Sequence, residues 1–193
     1  SQRVKDYMNY LIMDTMSEYE SEFDSMLFHL PLAGSTFKKV YYDVPLGRVV
    51  SKFVPADELI VPYTATSLDD AEAVIHTVKI SENELRKQQV GGFYRDVELS
   101  PPGTESNGEL QKKERELEGT KKTGKNEPVY TLLECHVNVD LEGFEDVGAD
   151  GEPTGIKLPY IVTVEEGSRE VLSIRRNYAP DDTKKNKIQY FVH

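Results

Sequence analysis

The chain has 193 residues, with 34 Asp and Glu against 23 Lys and Arg and a formal charge of −11. That length suffices for one substantial core, and that charge repels free nucleic acid, which argues against a sequence-reading DNA or RNA binder. No run approaches the ~18 apolar residues of a membrane helix, no signal peptide opens the chain, and the single Cys135 forms no intramolecular disulfide, which fits a reducing compartment.

The first thirty residues carry a helical period. Val4, Tyr7, Met8, Leu11, Ile12, Met16, Tyr19, Phe23, Met26, Leu27 and Leu30 recur at three- and four-residue steps among Lys5, Asp6, Asn9, Asp14, Glu18, Glu20, Glu22 and Asp24. The pattern predicts one long amphipathic helix, or two in series breaking near Ser17, ending before Pro31 and Gly34. A stripe of this length needs cover. A sheet is the expected partner, supplemented by a neighbouring subunit. The pattern starts at once, with no initiator Met, as expected of an excised domain or of a chain missing its start.

From Gly34 the rhythm becomes that of strands. A hairpin is expected over residues 37–42 and 48–54 around "DVPLG", then a short apolar segment, "ELIVPY", closed by Pro62. A strand over 73–80 places Val74, His76 and Val78 on one face and Ile75, Thr77 and Lys79 on the other. "SENELRKQQVGG" has the marks of a short helix: Ser81 as cap, Glu84 three residues on, and Gly91-Gly92 as the stop. Residues 98–127 contain hardly any apolar side chains and predict an exposed, mobile insertion, with a transient helix over 109–118. "PVYTLLECHVNVDL" returns to strand, "EGFEDVGADGEPTG" is a loop, and "IKLPYIVTVEEGSREVLSIRRNY" is a hairpin turning at "EEGSRE". "KNKIQYFVH" is a last strand. The fold class is therefore α+β: a long N-terminal amphipathic helix or helix pair packed on a largely antiparallel β-sheet, in a single domain of residues 1–193 with a polar insertion.

Every catalytic pattern has a simpler structural counterpart. The histidines His29, His76, His136 and His193 show no metal spacing, and adjacent Cys135 and His136 point to opposite faces of a strand. Ser67 lacks the glycines of a nucleophile elbow and suits a turn or cap. Asp57-Glu58 and Asp69-Asp70 suit turns, and "GADGEPTG" lacks a phosphate-binding lysine. Arg175-Arg176 suits a solvated strand end, and Tyr41-Tyr42, Phe93-Tyr94 and Tyr190-Phe191 suit the edges of a core. No enzyme activity, cofactor or metal is expected. A small metal-dependent hydrolase using Asp57, Asp69, Asp70 and His76 is the enzymatic alternative.

The segments "LPLAGSTFKKVYYD", "FVPADELIVPYTATSLDDAEAVIH", "NELRKQQVGGFYRDV", "YTLLECHVNVDLEG", "DGEPTGIKLPYIVTVEEGS" and "VLSIRRNY" occur in that order. As a set they resemble the portal proteins, or head-to-tail connectors, of short-tailed bacteriophages and related prophages. The likeness spreads over most of the chain and is weakest across residues 98–127. It implies a structural subunit of a ring, a dodecamer at one capsid vertex, through which double-stranded DNA is packaged and ejected. It implies a location in the virion, with assembly in the bacterial host cytoplasm. Expected partners are other copies of the chain and the capsid and scaffolding proteins. Sequence-specific nucleic acid binding and a membrane are not expected. The chain resembles the wing region ahead of the first stem helix. Terminase would dock through regions outside it. Another phage structural or adaptor module is the non-enzymatic alternative. In a ring of twelve the summed charge is about −130, so closure must rest on apolar and locally paired contacts. The helical face bearing Tyr7, Leu11 and Tyr19 is the candidate subunit or domain interface.

Overall fold

A computed structural model describes residues 2–43, 46–99, 129–148 and 150–193. The fold is α+β, as the periodicities predict. The helical stretch is a series: α1 (Gln2–Tyr10), a π-helical segment (Leu11–Thr15), a break over Met16, Ser17 and Glu18, then α2 (Tyr19–Ala33). Next come β1 (Thr36–Asp43), β2 (Arg48–Pro55), a 3-10 turn (Ala56–Glu58), β3 (Leu59–Ile60), β4 (Ala73–Ser81) and α3 (Glu82–Val90). The remaining strands are β5 (Val129–Val139), β6 (Leu158–Glu165), β7 (Val171–Arg176) and β8 (Phe191–Val192). The strands form two antiparallel sheets where one was expected, ordered β2-β1-β8 and β3-β4-β5-β6-β7.

Two boundaries differ from expectation. Helix α2 runs past Pro31 to Ala33 and stops on Gly34, whose φ of +75° suits glycine and whose N–H reaches the Leu30 carbonyl at 2.9 Å. Pro31 forfeits the bond to the Leu27 carbonyl, yet the helix runs on for two residues, so the glycine and not the proline ends it. The final strand contracts to two residues. Ahead of it the Asp182 carboxylate accepts the N–H groups of Lys184 and Asn186, both at 2.9 Å, which curls the chain into a turn. The insertion of residues 98–127, with its helix over 109–118, lies outside the described residues apart from Glu98 and Leu99. Leu99 is half-buried against a core cluster.

By its contacts the chain divides into two compact units. The first holds residues 1–76, 136–160 and 176–193. Its hairpin pairs Thr36 with Pro55 through to Asp43 with Arg48, and β8 pairs with the other edge of β1. Val54, Leu59, Ala71, Val74 and Phe191 form its core, flanked by Phe37, Ala65, Leu68 and Tyr190. The His76 and His136 rings stand edge-on to Phe191, at 5.6 and 5.1 Å.

The second unit holds residues 77–135 and 161–175. Ile80, Leu85, Tyr94, Tyr130, Leu132 and Leu172 make its core. Helix α3 starts on Ser81, whose hydroxyl accepts the Glu84 N–H at 3.3 Å, and Gly92 follows it at φ +74°. The buried Gln89 amide donates to the carbonyls of Arg95 and Val97 at 3.3 and 3.0 Å, fastening the segment after the helix. At the β6–β7 turn the buried Glu165 carboxylate accepts the N–H groups of Gly167 and Ser168 at 3.0 and 2.6 Å. Burial alone would raise its pKa, but the Ser168 and Gly167 donors outweigh that and hold it below the usual carboxylate range.

Candidate assembly surface

Each helix reaches the surface in its own way. Every residue of α1 is exposed, including Val4 at 65%, Tyr7 at 60%, Met8 and Tyr10. At 100° per residue Val4, Tyr7, Met8 and Leu11 share one face, with Arg3 and Lys5 at its two borders. The π segment continues that rod and half-buries Leu11 and Ile12.

Helix α2 lies against the β1–β2 hairpin through a mostly polar face. The half-buried side chains are Tyr19, Glu22, Met26 and His29, at i, i+3, i+7 and i+10. A Glu22 oxygen accepts the Phe53 N–H of β2 at 2.6 Å, and the His29 ring lies 5.0 Å from the Phe53 ring. Glu18, just ahead of the helix, pairs with Arg48 of β2 at 2.7 Å; the Arg48 hydrogen bond holds its carboxyl below the usual range. Tyr19 stacks beside Phe23 at 6.1 Å, with the Lys38 ammonium 4.2 Å over its ring.

Apart from Met26, and Phe23 whose ring lies 4.8 Å from the Lys38 ammonium, the apolar residues of α2 point elsewhere. Phe23, Leu27, Phe28, Leu30 and Leu32 are 37–51% exposed, and neither α1, the π segment nor α2 contains a fully buried residue. Glu20 and Asp24 are exposed on the same outer side. The helix is therefore inside out relative to its hairpin: carboxylate and imidazole inward, leucine and phenylalanine outward.

No family model matches the chain, and no curated protein does.

The structure spreads Tyr7, Leu11 and Tyr19 over two elements. Tyr7 and Leu11 share the α1 rod, whereas Tyr19 lies beyond the break and faces Lys38. Of the stripe seen in the sequence, Tyr19 and Met26 meet the hairpin as expected, whereas Phe23, Leu27 and Leu30 stay exposed beside it. Phe28 and Leu32 lay off that stripe; the signal for them is α2's apolar content on every side.

Three residues of the enzymatic alternative, Asp57, Asp70 and His76, sit in local structural settings, and Asp69 offers its backbone carbonyl to Lys187. Asp57 is in the 3-10 turn. The Asp70 N–H donates to the Ser67 hydroxyl at 3.2 Å, and its carboxylate accepts the Thr66 hydroxyl at 2.9 Å. His76 packs on Phe191. Among the described residues no three His, Cys, Asp or Glu are placed to hold a metal ion. Cys135 is half-buried on β5, burial pushing its thiol up, while His136 on the opposite face is buried against Tyr190 and Phe191. The Arg175 guanidinium stacks 4.5 Å from the Phe93 ring, a more specific setting than a solvated strand end.

Proposed function

We propose that this chain is the wing part of a phage portal subunit, a structural element of a ring at a capsid vertex through which double-stranded DNA passes. The family is suggested by the ordered segments from "LPLAGSTFKKVYYD" to "VLSIRRNY". The observation that carries an assembling role is the helical series itself. Two consecutive helices present Val4, Tyr7, Met8, Leu27, Phe28 and Leu32 to solvent within one copy. Apolar side chains grouped in that way mark a surface that another chain covers. The net charge of −11 suits the flange of a ring that must let DNA slide without gripping its phosphates.

The test is electron microscopy of the full-length product of the gene. Closed rings with a central channel, about twelvefold, are expected. A full-length product that stays monomeric, or that hydrolyses a substrate through Asp57, Asp69, Asp70 and His76, overturns the reading.

A further inference from the structure

We propose that the seam between neighbouring copies is head-to-tail and helical: the α1 rod of one copy lies on the outward face of α2 of the next. This deepens the ring reading and rests on it for the sense of the contact.

Both halves of the seam are on the molecule, and the side chains that would meet are exposed within one copy. Helix α1 is about 14 Å long and α2 about 22 Å, so α1 can lie along α2 over its whole length. The rod offers Val4, Tyr7 and Met8; α2 offers Leu27, Phe28 and Leu32. The rod does not fold back on its own α2, since Gln2–Tyr10 is exposed throughout.

Charge selects the partner. Arg3 and Lys5 border the stripe at the start of the rod beside one acid, Asp6, while the rod's second acid, Asp14, lies at its far end in the π segment. The outer side of α2 carries Glu20 and Asp24. In a chain of −11, two copies repel except where a basic patch meets an acidic one. Pairing α1 with α1, or α2 with α2, would oppose like charges. Pairing α1 with α2 brings opposite charges together along an apolar line. Such a contact uses two different patches, so every copy keeps one free half for the next. A two-helix seam falls at the low end of specific interfaces, under about 1,200 Å² in total, so one seam alone is weak and a closed ring gathers many.

The experiment uses two single variants of the 193-residue chain at exposed positions, Met8→Asp in α1 and Leu27→Asp in α2. Sedimentation velocity is run on the parent chain, on each variant, and on their equimolar mixture, up to about 1 mM, where weak contacts of this class become populated. The parent is expected to associate with concentration beyond a dimer. Each variant alone is expected to lose association at least tenfold. The mixture is expected to form a dimer of one of each kind and nothing larger, because only one competent α1 and one competent α2 meet. Circular dichroism matching the parent confirms that both variants fold.

A parent that stays monomeric throughout overturns the proposal. So does either variant associating like the parent, or a mixture that gives no mixed dimer. If the full-length product forms rings while these variants leave them intact, the seam is wrong and the ring stands. If it forms no rings and the mixed dimer still appears, the seam stands and the ring reading falls.

Discussion

Lys187 shows how a lone cation can hold a loop. Its ammonium donates to the carbonyls of Leu68, Asp69 and Ala71 at 3.2, 3.4 and 3.0 Å, one acceptor for each of its three protons. These carbonyls belong to the polar turn ahead of β4, and Ala71 and Leu68 line the first unit's core. The expected effect of Lys187→Met is a loss of about 2–3 kcal/mol in urea unfolding, since the carbonyls lose a charged donor. Lys187→Arg should recover little of it, because a planar guanidinium cannot point three protons at a threefold cup. Equal stability of the Met variant and the parent would show that water serves those carbonyls as well. None of this was legible in the sequence, where Asp69-Asp70 drew attention for their side chains and the contact joins residues over a hundred positions apart.

Elements were far more legible than contacts. Period-two alternation located β1, β2, β4, β5, β6 and β7, and the Ser81 and Gly91-Gly92 signals bounded α3, because each depends on neighbours within a few residues. The break near Ser17 was legible for the same reason. Which face of α2 meets the hairpin was not. A hydrophobic stripe says that something covers a face, never what. Here the edge strand β2 sets the choice, since its Phe53 N–H needs an acceptor and Glu22 supplies one. Glu22→Ala is expected to cost about 1–3 kcal/mol by losing that bond and to loosen α2 from β2. Hydrogen exchange at the Phe53 amide measures it directly: protection should fall in the variant while the Glu84 amide, in the other unit, stays unchanged. An unprotected Phe53 amide in the parent would contradict the docking described here.

For the whole molecule the dominant long-range force between copies is repulsion. Two chains of −11 about 30 Å apart repel by roughly 15 kcal/mol in unscreened water. With a screening length near 30 Å at 10 mM salt several kcal/mol survive, and at 150 mM, where it is near 8 Å, less than about 1 kcal/mol does. A few exposed ion pairs along a helical seam contribute about 0–1 kcal/mol each, so the global term wins. Self-association of the 193-residue chain should therefore strengthen as salt rises from about 10 to about 150 mM, read as a rising weight-average sedimentation coefficient at fixed concentration. Weakening over the same range would mean that local ion pairs dominate the contact.

Strand β8 and the residues beside it have a bearing on synthesis. Ser35 and His193 meet at 2.8 Å although 158 positions separate them, and Phe191 fills a core whose other members lie between Val54 and Val74. A ribosome emitting roughly 5–20 residues per second leaves the first hairpin waiting about 7–27 s for that plug. During that interval an edge of β1 and a hole lined by valine and leucine stand open to water. A holding chaperone that binds nascent chains should therefore engage this one early and release it only when Phe191 emerges.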